Sequence, residues 1–241
     1  MSSASSSPES IDAALEEQKA YYRARAAEYD EWFLRRGRYA RGSEHSERWF
    51  REVERVVADL EQFAPYGQAL ELAGGTGLWT LRLAPHAEQV TVVDASREMI
   101  EINKERLEGH AVRYLEQDIF SFEPDRRYDF MFFSFWISHV PSDLFDEFWA
   151  MVKRCLKPDG KVFFLDSLKE PQSTAVDHVL PGEDHSETLV RRLNDGREFR
   201  IFKLFYKPDE LRERLDGLGL DTTVLATENF FLYGYGGLKQ G

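Results

Sequence analysis

Apolar positions recur at two different periods along this 241-residue chain. Over residues 11–33, Ile11, Leu15, Tyr22, Ala26 and Tyr29 fall at roughly helical spacing, with Ser10 placed to cap the first turn. A second helix is predicted over 44–63, where Trp49, Val53, Val56, Val57 and Leu60 share one face and Pro65 marks the stop. Beyond it the pattern changes. Short apolar runs at 69–72, 90–93, 112–115, 128–134 and 161–166 read as strands. Helical segments open at 78–83 and run over 96–107 and 144–155, the last ending at a turn through Lys157, Pro158, Asp159 and Gly160. Strands alternating with helices in this way build a parallel sheet from βαβ units.

The last third follows another rule. Two extended runs, 188–193 and 197–205, are joined through Asn194, Asp195 and Gly196, residues that supply the left-handed turn of a β-hairpin. A helix over 208–215 precedes Gly217 and Gly219, and then 222–227 and 230–233 read as closing antiparallel strands. Residues 1–10 are Ser-rich without an apolar period and are expected to form a loose tail. The rest is expected to be one domain: N-terminal helices over 11–65, a ligand-binding core over 66–166, an insertion with the hairpin over 167–206, and the closing helix and strands over 207–241.

The strongest chemical signal is Glu71-Leu72-Ala73-Gly74-Gly75-Thr76-Gly77, a strand running into a glycine-rich turn. Glycines there admit a ligand close to the backbone. A dinucleotide fingerprint asks for Gly or Ala where Thr80 stands, and the Glu71 carboxylate suits an ammonium-bearing ligand while repelling a pyrophosphate. Asp94 ends the second strand about twenty residues later, the place from which an acid bonds ribose hydroxyls. The pattern therefore implies a nucleoside without a diphosphate.

With these elements in order, the segment from about Tyr22 to Tyr233 resembles the class I S-adenosylmethionine-dependent methyltransferases. The resemblance implies an α/β, Rossmann-like, mostly parallel seven-stranded sheet with helices on both faces, an N-terminal helical lid and an inserted β-hairpin. It implies S-adenosyl-L-methionine as the cofactor. The turn positions Glu71, Ala73, Gly75 and Gly77 would hold its methionine part, Asp94 its ribose, and Ala95, Met99, Asp118 and Ile119 its adenosine. Ser134, ending the fourth strand, would wall the reacting centre, and Tyr22 and Tyr29 would belong to the lid. His139 is the candidate general base. The competing readings are a nicotinamide-dependent oxidoreductase, opposed by Glu71 and Thr80, and a non-catalytic module that retains the cofactor fold.

Composition narrows the acceptor. A net charge of −12 disfavours nucleic acid, and the absence of a long apolar run or of a secretory pattern leads to the expectation of a cytoplasmic protein without a membrane. Cys155 is the only cysteine, so no internal disulfide or thiolate metal cluster is expected. Asp177, His178, Glu183, Asp184 and His185 match no metal-binding spacing and are read as a solvated loop, so no metal is expected. The acceptor is expected to be a small molecule, apolar or aromatic, lined by Trp32, Phe33, Phe135, Trp136, Phe230, Phe231 and Tyr233, with the 167–205 insertion shaping its pocket. A monomer or homodimer is expected.

Overall fold

The structure, a computed structural model, describes residues 8–176 and 187–240. Nine strands and seven α-helices are seen among these residues. In chain order they are α1 (Pro8–Arg25), α2 (Tyr29–Phe33), α3 (Ser43–Glu61), β1 (Gly67–Leu72), α4 (Thr80–Leu83), β2 (Ala87–Asp94), α5 (Arg97–Arg106) and β3 (Val112–Glu116). There follow β4 (Tyr128–Ser134), α6 (Phe145–Cys155), β5 (Leu156–Ser167), β6 (Thr188–Arg192), β7 (Glu198–Phe202), α7 (Pro208–Gly217), β8 (Leu220–Ala226) and β9 (Phe231–Leu238).

Seven strands form one sheet in the order β3-β2-β1-β4-β5-β9-β8, parallel except for β9, which runs antiparallel between β5 and β8. Side chains alternate between its faces, as period two demands. Met131, Phe133, Val162 and Phe164 pack on one face with Phe145, Phe148 and Trp149 of α6 and with Leu211 and Leu215 of α7. Phe130, Phe132, Phe163 and Leu165 pack on the other with Trp49, Val53, Val56 and Leu60 of α3. That double burial explains why these strands read as continuous apolar runs. After β1 the chain winds through β2 and β3, then returns to place β4 on the other side of β1, so a crevice opens beyond the carboxyl ends of β1 and β4. No helix among the described residues is long and apolar enough to cross a membrane.

The expected hairpin is present: β6 and β7 form a separate two-stranded sheet whose turn has Gly196 at φ +90°. Helix α1 lies along β7, with Gln18 accepting from the Phe202 N–H and Glu17 accepting from the Arg200 N–H, which satisfies the sheet edge. Three expectations need correction. The single helix over 11–33 is broken by a 3-10 turn at Ala26–Glu28, and Ser10 lies inside α1 and is not its cap. The break redirects the chain so that Asp30, at the start of α2, meets the glycine turn: its carboxylate accepts from Thr76 Oγ1 and pairs with Arg106 Nη2, each at 2.5 Å. The Lys157–Gly160 turn appears as an irregularity within β5, where pairing with β4 jumps from Leu156 to Lys161. The Asp177–His185 patch lies outside the described residues.

Candidate active site

A cavity with about 700 Å³ of empty space, open solvent included, occupies the crevice at the carboxyl ends of β1 and β4. Its floor is the β1 turn, where both Ala73 (φ +51°) and Gly75 (φ +53°) adopt left-handed backbone. A non-glycine residue in that region is strained, and such strain concentrates at ligand sites. Phe135, just past β4, is a second non-glycine case, at φ +53°. Asp94 stands on the β2 side, its two carboxylate oxygens accepting from the N–H groups of Gly75 (2.9 Å) and Ser96 (2.8 Å). Burial raises its pKa, and hydrogen bonds from the Ser96, Gly75 and Ala95 N–H groups oppose the rise. Ala95, Met99, Asp118, Ile119 and Phe120 form the far wall, and the Phe120 and Trp136 rings lie 5.6 Å apart across it. The roof is α1: Leu15, Gln18, Lys19 and Tyr22 line the cavity, and Lys19 Nζ donates to Asp118 at 2.7 Å, tying roof to wall.

A second chamber of about 590 Å³ adjoins the first, sharing Tyr22, Tyr29 and Phe135 with it. Arg25, Arg191, Lys203, Tyr39 and Ser167 also line it. Within it His139 is held at both ring nitrogens. Nδ1 lies 2.6 Å from the Phe202 carbonyl, which only accepts, so Nδ1 is the donor and Nε2 accepts from the Tyr22 hydroxyl at 2.8 Å. Burial, with Lys203 and two arginines nearby, holds His139 well below its ordinary pKa, so the ring is neutral. Lys203 Nζ donates to Ser138 Oγ (2.7 Å) and to Asp166 (3.3 Å) at the end of β5.

A family model described as a methyltransferase domain matches residues 69–160. The solved DhpI–SAH complex is similar to 95% of this chain and 98% of its own, with 35% identity and a TM-score of 0.76. The DhpI–SAM–HEP complex aligns over 92% and 97%, at 36% identity and a TM-score of 0.77. The chain belongs to the class I S-adenosylmethionine-dependent methyltransferases. An uncharacterized methyltransferase of Bacillus mycoides is 28% identical over 141 residues, which span 58% of this chain and 66% of that relative. S-adenosylmethionine is accordingly the cofactor of this methyltransferase, and the residues present fit it: the Asp94 carboxylate opens onto the cavity beside Gly75, where a Cβ would meet nothing closer than Tyr29 at 3.8 Å.

Of the residues expected at the cofactor, Tyr22, Tyr29, Ala73, Gly75, Asp94, Ala95, Met99, Asp118, Ile119 and Ser134 do line the larger cavity of this methyltransferase. Glu71 and Gly77 do not. Glu71 is 1% exposed and sealed beneath Thr80, whose hydroxyl donates to it at 2.6 Å, with Asn103 donating in turn to Thr80. Burial pushes the Glu71 carboxyl up to about 8, against the lowering effect of that hydrogen bond, with Asp94 adding to the rise. Thr80, unsuited to a dinucleotide turn, is thus the partner of this acid. Gly77 (φ +86°) faces α5, where a Cβ would meet the Asn103 side chain at 2.7 Å; its role is close helix packing.

Of the aromatic residues expected around the acceptor, Trp32 and Phe135 line the second chamber, Trp136 lines the first cavity, Phe33 lines a small adjoining space, and Phe230, Phe231 and Tyr233 are packed in the core. Arg25, Arg191 and Lys203 went unrecognised in the sequence, since each reads as an ordinary surface cation on an amphipathic element.

Proposed function

We propose that this methyltransferase holds its cofactor in the larger cavity and a small-molecule acceptor in the adjoining chamber. The observation that carries the reading is the shared boundary of Tyr22, Tyr29 and Phe135 between a cavity built at the sheet's switch point and a second, adjoining chamber. When bound, S-adenosylmethionine supplies an electrophilic methyl whose carbon–sulfur bond breaks, the pair returning to sulfur as an acceptor lone pair forms the new bond.

The protein's own groups position and exclude. Asp94 takes the ribose hydroxyls, with its carboxylate pre-aimed by two backbone N–H groups. Met99, Ala95, Ile119 and Phe120 hold the base, with Asp118 beside it. Helix α1 and α2 close the roof, with Asp30 bound to Arg106 and Thr76 of the core, and so exclude water from the reacting atoms. His139 acts by orienting the Tyr22 hydroxyl, since its only acceptor nitrogen is already used. The chamber therefore suits an acceptor whose nucleophilic atom needs no deprotonation by the enzyme. Calorimetric titration with S-adenosylhomocysteine, followed by transfer of labelled methyl to a panel of small acids, amines and alcohols, tests the reading. Absence of cofactor binding would sink it, and transfer to a protein or nucleic acid in place of a small molecule would relocate the acceptor site.

A further inference from the structure

The second chamber has an unusual charge for a protein carrying a net −12. Arg25 and Arg191 are 8% and 7% exposed and both line it. Neither makes an ion pair among the described residues. The partners of Arg25 are aromatic: Nη2 donates to the Tyr39 hydroxyl at 3.2 Å, and the guanidinium lies 4.9 Å from the Tyr29 ring centre. Its Nε and Arg191 Nη1 are buried with no hydrogen-bond partner. Lys203 is the third cation, and the one carboxylate in contact with it, Asp166, is also the acceptor for the N–H groups of Ser138 and Ser167. Burial lowers the pKa of both Arg191 and Lys203, with Arg25 adding to the lowering.

Buried guanidiniums are expensive to leave unpaired, and native proteins pair them or use them. Their planar, multiply donating fork suits an oxyanion, carboxylate or phosphoryl, better than any neutral group. The other walls agree, since Ser167 and the tyrosines add hydroxyls, and among the described residues no acid other than Asp166 touches this cluster. Building on the reading of the second chamber as the acceptor site, we propose that the acceptor is a small organic acid whose oxyanion is held between Arg25, Arg191 and Lys203. The anion supplies the negative charge that the described residues do not provide for Arg25 and Arg191, and it orients the acceptor against the shared boundary. Uncharged aromatic acceptors would leave both guanidiniums unpaired, so the chamber selects against them.

The test titrates inorganic phosphate, malonate and the uncharged malonamide into the full-length protein in a chloride buffer, with and without saturating S-adenosylhomocysteine, read by thermal shift and calorimetry. Malonate or phosphate is expected to bind and malonamide is not, and the better of the two anions identifies a carboxylate or a phosphoryl group. Arg191→Gln and Arg25→Gln are each expected to weaken the anion's Kd by about tenfold or more, while S-adenosylhomocysteine binding stays near wild type. Arg191→Lys, which keeps charge and loses the fork, is expected to fall between and reads the same titration where the glutamine variant does not fold. Binding of malonamide equal to malonate, no binding of either anion, or variants that bind the anion like wild type would each overturn the proposal. Failure of S-adenosylhomocysteine to bind the wild-type protein would instead overturn the two-cavity reading, because the anion titrations are also run without it.

Discussion

Replacing Glu71 by glutamine probes the sealed carboxyl at the root of the glycine turn. In the unfolded chain this group titrates near 4.5, and in the folded protein burial pushes it up to about 8. The native state therefore keeps a proton that the unfolded state releases between those two values. Stability from this group is fully present below about pH 4.5 and is lost as pH rises through about 8. The loss runs at about 1.4 kcal/mol per pH unit inside the window and totals about 5 kcal/mol. That total is an upper bound, since relaxation around a buried charge lowers its cost. Glutamine keeps an oxygen for Thr80 and has no proton to lose, so its stability profile loses this slope. Urea unfolding followed by tryptophan fluorescence from pH 5 to pH 8.5 measures both slopes, and parallel profiles for the two proteins would refute the reasoning. The same variant separates a structural acid from a ligand-binding one. Because Glu71 does not line the cavity, S-adenosylhomocysteine affinity at pH 7 is expected to hold within about twofold, and a loss of tenfold or more would return the carboxyl to the ligand.

Asp94→Ala is expected to cost about 1–3 kcal/mol of S-adenosylhomocysteine affinity through lost charge-assisted hydrogen bonds, measured by calorimetry on a variant shown to be folded; unchanged affinity would remove Asp94 from the site. Arg106→Ala cuts the tie between α2 and the glycine turn, where Arg106 also donates to the Thr76 carbonyl at 2.6 Å. It is expected to cost about 1 kcal/mol of cofactor affinity and to speed proteolysis near residues 26–36, and neither change would mean that the lid is held elsewhere. His139 is held well below its ordinary pKa, so kcat is expected to show no limb from its titration near pH 6.5. A limb near pH 6.5 that His139→Gln abolishes would reinstate it as a base.

Much of the fold was legible because its signals are local. The runs at 130–133 and 162–165 are apolar at every position because both sheet faces are covered, and the Asn194-Asp195-Gly196 turn carries its own left-handed glycine. Asp94 and Gly75 were legible too, since a strand end and the turn after it are fixed by position in the chain, and the two are joined at 2.9 Å. The direction in which Glu71 points was not. Its environment is made by Thr80, Asn103 and Tyr114, three residues from three later elements, and only packing of α5 against the turn seals it. The lid's break at Ala26–Glu28 has the same cause, because helix propensity continues through 33 while a long-range pair to Arg106 bends the chain. The acceptor chamber lies furthest from the sequence. Arg25 comes from α1, and Arg191 and Lys203 come from β6 and the residue after β7, on a hairpin far from α1 in sequence, and their pattern is that of solvated faces. Only docking α1 along the hairpin removes water from all three at once. Local periodicity therefore determines where strands, turns and the cofactor acid fall, and the tertiary structure decides which charges lose their water, because desolvation belongs to the assembled surroundings of a group and not to its neighbours in the chain.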